Sequence, residues 1–224
     1  MQPWIVLDEA KVPDGHETLR LKRRGGEFSI MLGSNELMNS RLSGSEEALA
    51  TLTLDKLSGR KGPRILIGGL GMGFTLRAAL AAVDAEARIT VAELVPDVVA
   101  WARGPMAELH AGSLDDPRVV ILPDDVGAAI RTANAAYDAI LLDVDNGPDG
   151  LSRPGNDALY GARGLGEAKR ALTPGGVLAV WSSHPAPRFT QRLTQAGFAA
   201  EEKPVRARGR SGAKHMIWLG QRVA

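Results

Sequence analysis

A glycine turn and a set of carboxylates are the residues here that could do chemistry. Ile65-Leu66-Ile67 runs directly into Gly68-Gly69-Leu70-Gly71-Met72-Gly73. Glycine permits positive φ and lets a ligand lie against the backbone. A helix starting behind the turn offers unpaired N–H groups. The spacing Gly69-x-Gly71-x-Gly73 is not the GxGxxG of dinucleotide binders. Glu93 ends the next apolar run, 24 residues after Gly69. A carboxylate there can accept from both hydroxyls of a ribose; the plainer reading is a surface carboxylate at a strand end. Asp124 and Asp125 follow Val119–Leu122. Either can cap the next helix, and Asp125 can also accept from an exocyclic adenine amine. Asp143 closes Ala139–Leu142 and leads into Val144-Asp145-Asn146-Gly147-Pro148. A carboxylate at such a position can orient a nucleophile or take its proton.

These residues need strands that end together. Ile65–Ile67, Ile89–Ala92, Val119–Leu122, Ala139–Leu142 and Val177–Trp181 are short continuous apolar runs, the pattern of strands buried on both faces of a parallel sheet. Helical stretches are expected near 73–83, 97–109, 125–134, 156–171 and 187–196. Two further strands, near 198–206 and 214–220, form a hairpin joined by a Gly- and Arg-rich loop. The expectation is an α/β, Rossmann-like fold: a seven-stranded, mostly parallel sheet with a C-terminal antiparallel hairpin. Ligands of such sheets bind at the carboxyl ends of the strands, where the glycine turn and the carboxylates fall. Residues 1–62 read as a small extension, with strands at Trp4–Leu7, Thr18–Lys22 and Phe28–Leu32. Gly25-Gly26 makes a hairpin turn. A helix runs from Ser45, as N-cap, to about Leu57. Residues 63–224 form the nucleoside-binding domain.

Composition narrows the function. The chain has 224 residues, enough to bury a core without staples. With no cysteine, disulfides, thiolate metal sites and a cysteine nucleophile are excluded. Four scattered histidines make a histidine metal centre improbable, and no metal is expected. A net charge of +1 gives no global pull toward nucleic acid or anionic lipid. Neither nucleic acid nor a membrane is expected as a partner. No run approaches the roughly 20 apolar residues of a membrane span, and the first residues lack the basic region of a signal peptide. The expected location is the cytoplasm. An adenosine-containing ligand without phosphate fits, because no lysine or arginine stands in the glycine turn. S-adenosylmethionine, or its decarboxylated form, is the natural candidate.

From about residue 26 to 182 the chain resembles the spermidine synthase (polyamine aminopropyltransferase) family. The matching pieces are Ile65–Gly73, with an apolar residue at Ile67; Val91-Ala92-Glu93-Leu94-Val95-Pro96-Asp97-Val98-Val99; Asp116-Pro117-Arg118-Val119 with Asp125; and Tyr137–Asp143. Leu159-Tyr160 and Lys169–Leu178 continue the likeness. The resemblance implies the class I methyltransferase fold, a ribose site at Glu93, an adenine site at Asp125 and a catalytic aspartate at Asp143. It also implies a homodimer. The departures fall where an amine would sit. The family's Asp-Ser-Ser-Asp-Pro reads Asp143-Val144-Asp145-Asn146-Gly147, its Tyr-His-Glu reads Ser45-Glu46-Glu47, and its Phe-Tyr reads Gly164-Leu165. Amine pockets use aromatic walls and carboxylates in place of the cation's hydration.

Those departures make methyl transfer from S-adenosylmethionine to a small-molecule nucleophile the leading expectation. Gly69, Gly71, Gly73, Glu93, Asp124, Asp125 and Asp143 would bind the cofactor, and Asp143 with Asp145 would be catalytic. The alternatives are aminopropyl transfer from decarboxylated S-adenosylmethionine, with Asp145, Asp149 or Asp157 holding a distal ammonium, and a non-catalytic nucleoside-binding scaffold. Arg77 is a candidate partner for a cofactor carboxylate. His184 reads as a surface histidine or a second base, and Trp181 as core or pocket wall. The cations from Lys203 to Lys214 read as a solvated hairpin tip or a grip on an anionic substrate.

Overall fold

The computed structural model describes residues 2–13, 17–144, 147–148, 158–208 and 211–223. The chain begins with four antiparallel strands in sequence order: β1 (Ile5–Lys11), β2 (Thr18–Arg24), β3 (Glu27–Leu32) and β4 (Asn35–Asn39). Gly25 takes φ +59° in the turn between β2 and β3, where Arg24 faces Glu27. The strand β4 was not expected. Its sequence, Asn-Glu-Leu-Met-Asn, has no apolar alternation, and its partner β3 supplies the pattern.

Helix α1 (Gly44–Lys56) follows, then β5 (Arg64–Gly68), α2 (Phe74–Ala82), β6 (Arg88–Ala92), α3 (Pro96–Arg103), α4 (Ala107–His110), β7 (Val119–Leu122), α5 (Val126–Thr132) and β8 (Tyr137–Leu142). The chain continues through α6 (Ala162–Ala171), β9 (Leu172–Ser182), α7 (Phe189–Gln195), β10 (Phe198–Arg208) and β11 (Ser211–Arg222). The second sheet has seven strands in the order β10-β11-β9-β8-β5-β6-β7. Neighbours from β9 to β7 are parallel, while β11 joins β9, and β10 joins β11, antiparallel. This is the expected α/β fold with its C-terminal hairpin.

Alternation within the strands explains their continuous apolar sequences. Ile65, Ile67, Ala139 and Leu141 pack into one core with α1, α2 and α3. Leu66, Ile140 and Leu142 face the other way, into a core with α5, α6 and α7. Both faces are buried, so every position is apolar. Strand β5 lies between β6 and β8, and the chain runs outward to either side of it. Its carboxyl end is therefore the switch point where open α/β sheets bind ligands.

Three further details depart from expectation. The helix expected over 97–109 is two, because Gly104 and Pro105 break it between α3 and α4. Ser45 does not cap α1. Ser43 holds that position without a side-chain cap bond, and Ser45 lies inside the helix, fully buried. The basic segment from Lys203 is mostly strand, since β10 and β11 pair as far as Arg208 and Ser211.

Candidate active site

The glycine turn is wedged between the ends of β6 and β8. The Gly69 N–H donates to the Ala92 carbonyl at 2.8 Å, and Gly69 holds φ +88°. A β-carbon on it would stand 2.7 Å from the Asp143 carbonyl oxygen. Gly73, at φ +76°, precedes α2, where any side chain would strike the buried His110 ring.

Glu93 follows β6 and is 8% exposed. Its Oε2 accepts from the Leu70 N–H and its Oε1 from the Val95 N–H, both at 2.9 Å. Burial raises its pKa while these amides oppose the rise. Each oxygen keeps a further lone pair, so a carboxylate clamped by two amides can still accept from two hydroxyls. Asp125 caps α5, accepting from the Ala128 N–H at 3.0 Å. Asp124 accepts from the Asp125 N–H at 2.7 Å. Gly69, Gly71, Glu93, Asp124, Asp125 and Asp143 all line one open cleft.

Asp143 follows β8 where this cleft meets a second cavity. Its Oδ2 accepts from the Thr75 hydroxyl at 2.8 Å. Burial, with the Glu46 carboxylate close by, raises its pKa to about 7 against that hydrogen bond. The second cavity runs along the glycine turn and is lined by Glu46, Gly73, Phe74, Asp143 and Trp181. In the sequence Glu46 stands out only as a departure from the family's Tyr-His-Glu. The helical period gives the signal that was missed, because buried Ser45 and Leu49 put the start of α1 against the protein. The Ser45 hydroxyl donates to Glu46 Oε2 at 2.6 Å and lies 2.8 Å from His215 Nδ1. His215 meets Trp181 edge to face, with ring centres 4.9 Å apart.

Other candidates lie elsewhere. Asp145, Asn146, Asp149 and Asp157 fall outside the described residues. Arg77 donates to the Leu109 carbonyl at 2.9 Å and lines neither cavity. His184 is exposed, with Nδ1 2.7 Å from the Ser183 hydroxyl, and lines neither cavity. Lys203 pairs with Glu201 at 3.0 Å, and Arg206 donates to the Gly212 carbonyl. Among the described residues no cluster of acidic or imidazole groups is arranged to hold a metal. No helix among them is long and apolar enough to cross a membrane.

Comparison with known proteins bears on the chemistry. Residues 45–195 match the spermine/spermidine synthase domain. The polyamine aminopropyltransferase of Mycobacterium tuberculosis is 33% identical over 144 residues, 60% of this chain and 27% of that protein. The Sulfolobus acidocaldarius enzyme of the same name is 31% identical over 122 residues, 54% of this chain and 39% of that protein. The chain thus spans well under half the length of these curated relatives. The fold matches spermidine synthase from Thermotoga maritima with a TM-score of 0.77 at 16% identity, covering 97% of this chain and 72% of that one. A spermidine synthase crystallised with the transition-state analogue AdoDATO gives 0.73 at 18% identity, over 97% and 72%. These relatives are aminopropyl transferases, which overturns methyl transfer as the leading expectation. The departures that suggested it leave aromatic and acidic lining in the second cavity, from Phe74, Trp181, Glu46 and Asp143. Together the matched domain, which spans most of the chain, and the shared fold place this chain in the spermine/spermidine synthase family.

Proposed function

We propose that this chain transfers an aminopropyl group from decarboxylated S-adenosylmethionine to a small-molecule amine of the polyamine class. The observation that carries the reading is Asp143, a carboxylate with its pKa raised to about 7 where the cleft lined by Glu93 and Asp125 meets an acidic, aromatic-walled cavity. The residues fit the donor. Glu93 would hold the ribose hydroxyls, Asp124 and Asp125 the adenine edge, and the bare backbone of Gly69 and Gly71 the region near sulfur. The donor supplies an activated carbon attached to a sulfonium leaving group.

The chain's own contribution is to position the amine and to remove a proton. A protonated amine has no lone pair to attack with. Asp143 faces the cavity and can accept the proton the nitrogen sheds. As the N–C bond forms, the C–S bond breaks and its electron pair returns to sulfur, leaving 5′-methylthioadenosine. Thr75 fixes the Asp143 carboxylate by donating to one oxygen. Phe74 and Trp181 line the cavity with ring surface, which suits a cation stripped of water.

The test is a product assay. Purified protein with decarboxylated S-adenosylmethionine and 1,4-diaminobutane should yield 5′-methylthioadenosine and the aminopropylated diamine in equal amounts, read by mass spectrometry. Protein that binds 5′-methylthioadenosine yet forms neither product with a panel of diamines and polyamines would overturn the reading.

A further inference from the structure

The cavity beyond Asp143 holds a charge problem. Two carboxylates, Glu46 and Asp143, line it, and no lysine, arginine or histidine does among the described residues. Neither has an ion-pair partner among them. Burial raises the pKa of Glu46, and burial together with Glu46 raises that of Asp143. Both are half-buried; negative charge partly withdrawn from water without a counterion is costly, and a bound cation relieves it. The cavity is contiguous with the nucleoside cleft, sharing Gly69, Gly71 and Asp143 with it. From there it runs along the turn to Gly73 and Phe74. A chain attached to the sulfur of a ligand in the cleft would enter it.

Glu46 is held in place for this. Ser45 has one hydroxyl proton. Donating it to Glu46 Oε2 leaves only lone pairs for His215, so His215 Nδ1 carries the hydrogen between them. His215 comes from β11 and Ser45 from α1, so the C-terminal hairpin fixes a side chain of the first helix.

We infer that Glu46 selects the donor: it pairs with the ammonium of the aminopropyl chain and repels the carboxylate that S-adenosylmethionine carries beside the same nitrogen. The inference rests on the donor proposed above. It makes Glu46 a specificity residue and Ser45 and His215 positioning residues. Arg77, the cation expected to meet a cofactor carboxylate, is bonded to the end of α4 instead.

The experiment is calorimetric titration of the wild type, Glu46→Gln and Ser45→Ala with three ligands: decarboxylated S-adenosylmethionine, S-adenosylmethionine and 5′-methylthioadenosine. The last lacks the amine and reports an intact nucleoside cleft. The wild type should prefer the decarboxylated ligand. Glu46→Gln should weaken that ligand roughly 30-fold or more, as removal of one partner of an enclosed charge pair does. It should leave 5′-methylthioadenosine unchanged and hold or improve S-adenosylmethionine. Ser45→Ala should move the preference the same way by a smaller factor. An unchanged preference in both variants would overturn the role of Glu46 and leave the donor reading standing. A wild type that prefers S-adenosylmethionine would overturn both.

Discussion

A β-carbon at Gly69 would lie 2.7 Å from the carbonyl oxygen of Asp143, so the glycine turn and the candidate base are in direct contact. The turn closes on the end of β8 only because position 69 has no side chain, and its φ of +88° already suits glycine alone. Gly69→Ala should therefore cost about 1–3 kcal/mol of stability from backbone strain. It should also push Asp143 away from Thr75. The expected result is a lower Tm with a much larger relative loss of aminopropyl transfer, measured on protein kept below its transition.

Asp143→Asn keeps shape and removes the base. Transfer should fall about 10²–10⁴-fold, while 5′-methylthioadenosine binds as before. The same variant has a stability signature. The Asp143 pKa is raised from 3.8 to about 7 in the folded protein, so between these values the folded state holds the proton more tightly than the unfolded state. That contribution is complete below about pH 4 and is lost as pH rises through 7. His110 works the other way: burial lowers it to about 4, so its contribution grows as pH rises toward 6.5. The readout is therefore the difference between variant and wild type. Urea unfolding at pH 4 to 8 should show Asp143→Asn gaining on the wild type as pH rises. A difference independent of pH would remove the raised pKa from the argument.

Glu93 carries two amide hydrogen bonds through two oxygens. Glu93→Gln can accept with only one of them and sets an NH₂ against the other amide. A lost ribose contact and an unpaired buried donor predict about 1–3 kcal/mol, or roughly 10- to 100-fold weaker 5′-methylthioadenosine binding. Titration with that ligand checks it, and unaltered affinity would take the ribose away from Glu93.

The parallel core was legible because a strand buried on both faces must be apolar throughout, as Ile65-Leu66-Ile67 and Ala139–Leu142 are. The positions of Gly69, Glu93 and Asp143 followed, since each ends such a strand. Glu46 was not legible as a site residue. An acidic residue in a first helical turn ordinarily faces solvent, as Glu47 does. What turns Glu46 inward is the packing of α1 against α2 and the contact of Ser45 with His215, 170 residues away. The edge strand β4 was hidden for a related reason: its partner, not its own sequence, makes it a strand.

The same long-range pairing bears on the basic hairpin. Lys203, Arg206, Arg208 and Lys214 are exposed on β10 and β11, and none lines either cavity. Lys203 is paired with Glu201, and Arg206 holds the Gly212 carbonyl. Exposed ion pairs of this kind contribute about 0–1 kcal/mol. The donor proposed here is cationic, so these residues would repel it weakly if they acted at all. Arg206→Ala with Arg208→Ala should leave kcat unchanged and KM within about twofold at physiological salt, where the Debye length is about 8 Å. Kinetics of the double variant across salt concentrations tests this. A salt-sensitive loss of substrate binding would show that the hairpin grips an anionic group after all.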